Sequence, residues 1–450
     1  MRHEPLILKR ESSLPVADLV GAFTYALDLT EGQPAGHSLR ACYIASRIAQ
    51  TLGIAGLGFA AIYYAAMLKD LGCSSNAARL HELYAADDLS FKHAYKTIAP
   101  GLPATLRFVF DRTAAGAPLR QRVAAITHIL RNGDAIAQEM IQTRCTRGSD
   151  IARELGFAEG VCAGIYHLDE HWDGGGRPAH QRGDAIPLPS RLALLAQVAD
   201  VFLQAGGRDA ALFEVARRAG TWFDPELAAV FVALRHDDRF WRDLASPLLE
   251  TIVTAMAPPD TRLVDDDFLD AVTAAFGKVI DAKSPFTAGH SERVAGFTQA
   301  LGEHFEINPV RLRELRRAAA LHDVGKLGVS NTILDKPGKL DDAEWVVMRG
   351  HAAHTRAILS RISPMADLAP LAAAHHERLD GKGYPLGLED ARIARETRII
   401  TTCDFYDALT ADRPYRGAMS QEKALGIIES EVGTAVDGEC FEALRGIVSR

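Results

Sequence analysis

The sequence predicts an all-α protein made of two tandem helical domains. Apolar residues recur at helical spacing, for example Val272, Phe276, Val279 and Ile280, and runs with strand-like alternation are scarce. The chain has 450 residues, which exceeds the size at which a single hydrophobic core stops growing. The third observation is an internal repeat, which fixes where the two domains lie.

Two pairs of motifs recur at one constant spacing. GHSER at 289–293 has a partner in GHSLR at 36–40, and LHDVG at 321–325 has one in LKDLG at 68–72; both are 253 residues apart (290 − 37 and 322 − 69). Farther along, DGKGYP at 380–385 matches DGGGRP at 173–178, 207 residues apart (380 − 173). The first copy therefore carries an insertion of 46 residues (253 − 207), expected around Asn76 to Asn132.

The two copies predict domains over residues 12–250 and 262–450. They meet near Ala257 to Asp260, where adjacent prolines and the acidic run 265–267 interrupt the helical pattern. Within the first domain, the uncharged stretch 51–68 is long enough to span a bilayer, but it aligns with the charged stretch 304–321. We therefore predict a packed helix there. In the second domain, Asn308 and Pro309 have the residue types of a helix start.

Composition excludes some classes of partner. The net charge is −8 and the pI is near 6.1, which argues against binding a long nucleic acid through a basic surface. The six cysteines are scattered without a Cys-x-x-Cys pair and follow no secretory leader. These features predict reduced thiols in a cytoplasmic protein without a membrane span.

Seven residues in the second copy have the chemistry of metal ligands. Imidazole and carboxylate suit Fe, Mn and Zn ions, and the absence of cysteine from the set disfavours a thiolate site. Taken singly, each histidine is more often a surface or core residue, and an aspartate near a helix end is more often a cap. The set comprises His290, His322, Asp323, His351, His375, His376 and Asp404.

Most of these ligand types are missing from the first copy. By the two spacings, His322 corresponds to Lys69, the pair 375–376 to Leu168 and Asp169, and Asp404 to Gln197. The counterpart of His351 is Ile98 or Arg144, depending on the position of the insertion, whereas His290 and Asp323 keep their types in His37 and Asp70. Core packing would be needed equally in both copies, so the selective loss indicates chemistry in the second. Asp407, retained as Asp200, is interpreted mainly as a structural carboxylate that accepts hydrogen bonds or caps a helix.

With these motifs in place, the second copy resembles the HD-GYP subgroup of the HD phosphohydrolase superfamily over roughly residues 266–450. HDVGK at 322–326, HHERLDGKGYP at 375–385 and DFYDALTADRPYR at 404–416 occur in the order expected of that subgroup. The resemblance implies that the first copy is a degenerate HD domain, for which we expect a non-catalytic role in regulation or dimerisation.

The resemblance implies an all-α domain with an iron or manganese centre that hydrolyses cyclic di-GMP to the linear dinucleotide pGpG and on to GMP. It assigns one metal to His290, His322, Asp323 and Asp404. The second goes to His351, His375 and His376, with Asp323 bridging. Relatives with three metals place a glutamate where this chain has Phe286, so two divalent ions are expected.

Five residues are predicted to act on the substrate. Lys326 lies one helical turn beyond Asp323 and is assigned with it to catalysis and to the phosphate, although a surface lysine is the alternative. Arg413 and Arg416 can chelate phosphate through their planar guanidinium groups or form a solvated face. The turn containing Gly383 and Tyr384 is expected to contact the substrate, a stiff structural turn being the alternative.

Two other functions stay open at this stage. One is a non-catalytic module that senses a cyclic dinucleotide or docks onto a nucleotide cyclase or another signalling protein, with a homodimer as a further option. The other is a hydrolase of the same fold that acts on cyclic GMP-AMP or a nucleotide monophosphate. Ligand residues do not separate these alternatives, because base recognition depends on the walls of the cavity.

Overall fold

The computed structural model describes residues 15–98, 102–115, 117–259, 262, 264–414 and 416–449. The predicted domain ends at residues 12 and 450 lie outside these ranges, as does Tyr415 of the third motif. We call residues 15–255 the first repeat and residues 265–449 the second repeat.

The first repeat consists of helices, and its core is formed where α2, α3, α8 and α9 pack together. Short 3-10 helices at Cys73–Asn76, Gly183–Ala185 and Leu234–His236 connect some of them. The α-helices are α1 (Val16–Thr30), α2 (His37–Thr51), α3 (Gly56–Leu68), α4 (Ala77–Tyr84), α5 (Asp88–Lys96), α6 (Leu102–Arg112), α7 (Leu119–Glu154), α8 (Glu159–Tyr166), α9 (Leu188–Arg218), α10 (Pro225–Ala233), α11 (Asp238–Leu244) and α12 (Leu249–Ala255).

The second repeat has the same helical character. Its 3-10 helices are Pro285–Thr287, Val324–Gly328, Ser363–Leu368 and Asp390–Arg392. Its α-helices are α13 (Asp266–Asp281), α14 (His290–His304), α15 (Pro309–Ala320), α16 (Asn331–Leu334), α17 (Asp342–Leu359), α18 (Ala369–Ala373), α19 (Arg395–Thr410), α20 (Gln421–Ser430) and α21 (Gly438–Val448). Within the described residues there are isolated β-bridges but no strand, so the all-α prediction is confirmed.

Equivalent helices recur at the spacings that the motifs set. Helices α1, α2 and α3 correspond to α13, α14 and α15, and the second half of α7 corresponds to α17. Helices α4 to α6 and the start of α7 fill the stretch expected to be the insertion. Helix α9 continues through a kink at Gly207 (φ 79°), whereas α19 ends at Thr410 and a loop leads to α20.

The two repeats pack on one another through equivalent residues. Phe23 of α1 stacks on Phe276 of α13 with ring centroids 3.7 Å apart, and these residues are themselves 253 positions apart (276 − 23). A contact between Lys278 and Glu154 on one side is matched on the other by Arg361, which lies 4.6 Å from the Tyr25 ring. An interface in which residues i and j exchange roles has the pattern of a twofold dimer within one chain.

The uncharged stretch 51–68 forms α3, which is 13 residues long and packs inside the first repeat. Among the residues that the structure describes, no helix has the length and apolarity that crossing a bilayer requires. The expectation of a packed helix is met at this position.

Candidate metal centre

The backbone around Gly325 brings two separated motifs together. A Cβ atom at Gly325 would lie 1.9 Å from the carbonyl oxygen of His351, so only glycine allows α17 to approach the short helix after Asp323 this closely. Gly325 N donates to Thr355 Oγ1 at 3.0 Å and holds this approach. As a result, His351 lies beside the pair His322 and Asp323.

The carboxylate of Asp323 lies between two groups of histidines. Its Oδ2 is 3.4 Å from His290 Nε2 and 3.3 Å from His322 Nε2. Its Oδ1 is 3.5 Å from His351 Nε2 and 3.6 Å from His375 Nε2. The two oxygens of one side chain therefore face two different sets of nitrogen donors.

Asp404 and His376 complete the two sets. Asp404 Oδ1 lies 3.4 Å from His290 Nε2 and 3.7 Å from His322 Nε2, and the His376 ring lies 4.0 Å from the His375 ring. The structure thus brings all seven predicted ligands together, with donor atoms within 4.8 Å of one another in each of two groups. These groups are His290, His322 and Asp404, and Asp323, His351, His375 and His376.

Hydrogen bonds fix the orientation of four of the imidazoles. His290 Nδ1 bonds to Asp407 Oδ2 at 2.7 Å, and Arg293 Nε donates to the other oxygen of Asp407 at 2.5 Å. Three other rings donate Nδ1–H to carbonyl oxygens at 2.6 Å, namely His322 to Ala319, His351 to Met348 and His375 to Ala372. With Nδ1 occupied, each Nε2 is left to face the carboxylates, which is how metal-binding histidines are held in proteins.

The sequence interpretation of Asp407 is incomplete. Its retention in the first repeat favours a mainly structural role, but its carboxylate orients a predicted ligand. The signal that could have found it is the joint retention of His37 with Asp200, because an orienting carboxylate and its histidine are kept as a pair.

The charges in the site favour a bound cation. Burial alone would raise the pKa of Asp323, but the neighbouring Lys326 and His322 hold it well below its usual range. Burial lowers the pKa of His322, yet Asp323 and Asp404 outweigh it and raise that pKa to about 10. Burial lowers the pKa of His376 to about 3, so this imidazole is neutral. The carboxylates thus favour positive charge in the set that contains His322 and Asp404, whereas His376 in the other set offers an uncharged nitrogen.

The donor set fits divalent metal ions. Among the described residues, nothing donates a hydrogen bond to the buried Oδ1 of Asp323, which is costly for a carboxylate oxygen unless a cation lies there. Imidazole nitrogen with carboxylate oxygen suits iron, manganese or zinc. The site therefore has the residues and the unsatisfied atom that a metal centre needs.

Lys326 and Tyr384 also lie at the site. Lys326 Nζ is 2.6 Å from Asp323 Oδ2, and the side chain remains 18% exposed. The Tyr384 ring lies 4.7 Å from the His376 ring and carries the Arg349 guanidinium 5.6 Å from its centroid. The sequence analysis did not single out Arg349, and its spacing from His351 gives no signal, because residues two positions apart on a helix do not face each other.

The other predicted substrate residues have structural contacts. Arg416 donates to the carbonyl oxygens of Ala408 and Leu409 at 2.7 and 2.9 Å, which satisfies the end of α19. Arg413 Nε donates to Ala408 O at 3.4 Å. Gly383 packs against backbone, because a Cβ there would lie 2.4 Å from the Arg378 nitrogen. These contacts support the structural alternative for the turn. Arg416 has a structural contact with the end of α19, which the sequence analysis did not consider.

The first repeat shows which residue replaces His351. A Cβ at Gly72 would lie 1.9 Å from the carbonyl oxygen of Arg144, the relation that Gly325 has to His351. Arg144 is therefore the structural counterpart, and Ile98 is not. The Arg144 guanidinium contacts Asp169, which aligns with His376.

Cationic side chains occupy the equivalent centre of the first repeat. Buried Lys69 contacts Asp70 directly. Glu31, which with Asp70 and Cys73 forms a third group of possible ligands, is paired with Lys96 at 2.6 Å. Fixed ammonium groups beside both carboxylates disfavour a dication.

Comparison with known proteins places the chain in a family. The HD domain family model matches residues 124–227 and residues 275–440, so it covers part of each repeat. The chain belongs to the HD domain family. Its match in both repeats agrees with the internal repeat and with the HD motif of the second.

Two curated relatives and one solved structure are informative. The chain is 49% identical over 436 residues to the 3′3′-cGAMP-specific phosphodiesterase 3 of Vibrio cholerae serotype O1, covering 97% of the chain and 95% of the relative. It is 37% identical over 180 residues to a cyclic di-GMP phosphodiesterase of Thermotoga maritima, covering 40% of the chain and 49% of that protein. A crystal structure of a cyclic GMP-AMP-specific phosphodiesterase in V. cholerae is 44% identical with a TM-score of 0.67, covering 96% of this chain and 97% of that one.

Proposed function

We propose that the second repeat is a metal-dependent phosphodiesterase that opens a cyclic dinucleotide, with 3′3′-cyclic GMP-AMP as the preferred substrate. The observation that carries this proposal is the match to a cGAMP-specific phosphodiesterase along 97% of the chain, including the first repeat. The cyclic di-GMP phosphodiesterase of T. maritima matches 40% of the chain. Cyclic GMP-AMP, the alternative substrate in the sequence analysis, is therefore better supported than cyclic di-GMP.

The residues that would hold the metals are those that the structure brings together. His290, His322 and Asp404 would bind one ion, and His351, His375 and His376 the other, with Asp323 contributing one oxygen to each. We propose two ions, with iron or manganese as the metal. Such a pair supplies a water of lowered pKa and positive charge for the phosphate oxygens.

The chain's own residues would position the substrate. The partly exposed Lys326 ammonium can donate to a phosphate oxygen beside Asp323. Tyr384 presents an aromatic face next to His376, and Arg349 can pair with phosphate or stack at the rim. Because Arg416 donates to carbonyl groups of α19, we assign phosphate binding to Lys326 and Arg349 before Arg416.

A substrate panel tests the proposal. The full chain, loaded with Mn²⁺ or Fe²⁺, is incubated with 3′3′-cyclic GMP-AMP and with cyclic di-GMP, and the products are separated by chromatography. We expect kcat/KM to be at least about tenfold higher for cyclic GMP-AMP, which corresponds to about 1.4 kcal/mol of discrimination. Faster hydrolysis of cyclic di-GMP would overturn the substrate assignment. Binding of either dinucleotide without turnover would favour a sensor.

A further inference from the structure

A buried ion pair joins the insertion of the first repeat to the second repeat. Asp88, the first residue of α5, is fully buried, and its Oδ2 accepts a hydrogen bond from Lys283 Nζ at 2.7 Å. Its Oδ1 accepts from the Asn331 backbone N–H at 2.8 Å and from Ser330 Oγ at 3.2 Å. One carboxylate of the first repeat therefore holds three donors of the second.

These donors belong to two segments that lead into the metal centre. Lys283 precedes His290 by seven residues, and Ser330 follows Lys326 by four. Asn331 Nδ2 donates to the Lys283 carbonyl oxygen at 2.8 Å, so the two segments are tied together beneath Asp88. Both Lys283 and Asn331 are buried, at 1% and 0% exposure. A shift at this junction would move His290 relative to the segment that carries Lys326.

A second link closes the same junction. Ser284 Oγ donates to Asp335 Oδ1 at 2.5 Å, and Asn331 Nδ2 donates to Asp335 Oδ2 at 2.6 Å. The Asn331 amide thus connects the backbone of Lys283 to the side chain of Asp335. The junction is a network in which each buried polar group relies on its neighbours.

The junction has a different form in the first repeat. At a spacing of 253, Lys283 aligns with Thr30, which has no charge to pair with a carboxylate, and Asn331 falls where the insertion interrupts the alignment. The Thr30 carbonyl instead accepts from Lys92 Nζ of its own repeat at 3.0 Å. The Asp88 contact therefore departs from the twofold pattern and serves the side that carries the predicted ligands.

The charges make Asp88 difficult to replace. Burial alone would raise its pKa, but Lys283 and Lys92 hold that pKa below its usual value, so the carboxylate is charged. Removing the charge would leave the buried Lys283 ammonium without its anionic partner. The ammonium would then move toward water and pull its segment with it.

We propose that Asp88 is a positioning residue for phosphodiester hydrolysis in the second repeat. It acts through Lys283 and Asn331 on the spacing between His290 and Asp323. The hydrolytic role rests on the proposed function. Through Asp88, the insertion of the first repeat supplies a carboxylate on which the metal centre of the second repeat depends.

The variant Asp88→Asn tests this inference, with Asp87→Asn as its matched control. Asp87 accepts from the backbone N–H groups of Leu89 and Ser90 at 2.9 Å and so caps its own helix, and asparagine caps a helix equally well. Mn²⁺ affinity is measured by calorimetry, and kcat and KM are measured on the best cyclic dinucleotide. Folding is checked by circular dichroism.

For Asp88→Asn we expect Mn²⁺ affinity and kcat to fall by about tenfold or more, as when a supporting contact of a metal centre is lost. We expect KM to change by less than about twofold, because substrate contacts remain. Asp87→Asn should match the wild type, and Lys283→Arg should keep most activity because the charge pair survives. Wild-type metal affinity and kcat in folded Asp88→Asn would overturn the inference, as would equal losses in Asp87→Asn.

A paired variant covers the case in which Asp88→Asn does not fold. Asp88→Leu with Lys283→Met removes both charges, a change that buried pairs tolerate better than the loss of one partner. We expect it to fold with weakened Mn²⁺ affinity, and wild-type affinity would overturn the inference. If the wild type hydrolyses no cyclic dinucleotide, the proposed function fails, while the Mn²⁺ affinities still decide the positioning role.

Discussion

The two repeats share their polar framework and differ in what carries the positive charge. In the first, His37 Nδ1 bonds to Asp200 Oδ2 at 2.7 Å and Arg40 Nε donates to the other oxygen at 2.5 Å. In the second, His290 and Arg293 hold Asp407 at the same two distances. The framework thus persists in a repeat that lacks most of the predicted ligand types.

The difference lies at the centre of each cavity. The first repeat places Lys69 on Asp70 and Arg144 on Asp169, so cations that belong to the chain neutralise its carboxylates. The second repeat places the neutral imidazoles of His351 and His376 there and leaves Asp323 Oδ1 without a donor among the described residues. The comparison indicates that the first repeat folds without metal, whereas the second is built to receive one.

Matched double substitutions give the largest expected contrast. Changing His322 and Asp323 to alanine removes ligands from both proposed ions, so turnover should fall by more than about 100-fold, beyond the loss expected for a supporting contact. Elemental analysis should find two ions per chain in the wild type and a loss in this variant. Changing Lys69 and Asp70 to alanine should leave turnover largely intact. Loss of turnover in that folded control would mean that the first repeat takes part directly.

The second contrast concerns the carboxylates that orient His290 and His37. Asp407→Asn weakens the acceptor of the His290 ring, so metal affinity or turnover should fall by roughly 10- to 100-fold. Asp200→Asn should lower the free energy of unfolding by about 1–3 kcal/mol, because it weakens buried charge-assisted bonds, without changing turnover. Metal affinity is measured by titration, turnover by a hydrolysis assay and the free energy of unfolding by chemical denaturation, each for both variants. If both substitutions lowered turnover equally, Asp407 and Asp200 would not differ in function, and the proposed difference between the repeats would be wrong.

The sequence could predict the helical fold, the repeat and the convergence of the ligands. It could do so because the spacing between motifs survives in both copies and the ligand types are lost from one of them. The same comparison predicted a mainly structural, hydrogen-bonding role for Asp407 but not its partner, because a residue retained in both repeats gives no sign that one repeat uses it to orient a predicted ligand. The counterpart of His351 stayed open until the close approach at Gly72 singled out Arg144.

Other features depend on contacts that no motif records. Asp88 lies in an insertion without a repeat partner, so nothing in the sequence links it to Lys283. Arg416 has the residue type of a phosphate ligand, yet the loop between α19 and α20 turns its guanidinium onto carbonyl groups. Residue type can predict the available chemistry, but the packing of helices decides which partner each side chain meets.

The smallest predicted contrast concerns pH and His171 of the first repeat, which aligns with Arg378 of the second. The His171 ring stacks on Trp222 at 4.2 Å, and burial lowers its pKa to about 4. The unfolded chain, with a histidine pKa near 6.5, therefore binds this proton more readily between pH 6.5 and 4, so His171 lowers stability progressively as pH falls through that range. Replacing His171 with phenylalanine keeps the stack on Trp222 and removes the titrating group. The resulting change in the free energy of unfolding should be roughly 2 kcal/mol more stabilising at pH 4.5 than at pH 7.5. Urea unfolding followed by tryptophan fluorescence at the two pH values measures the difference. If the stability of the variant depends on pH as that of the wild type does, the first repeat does not hold His171 neutral. The contrast between a neutral His171 and a charged Arg378 at aligned positions would then fail.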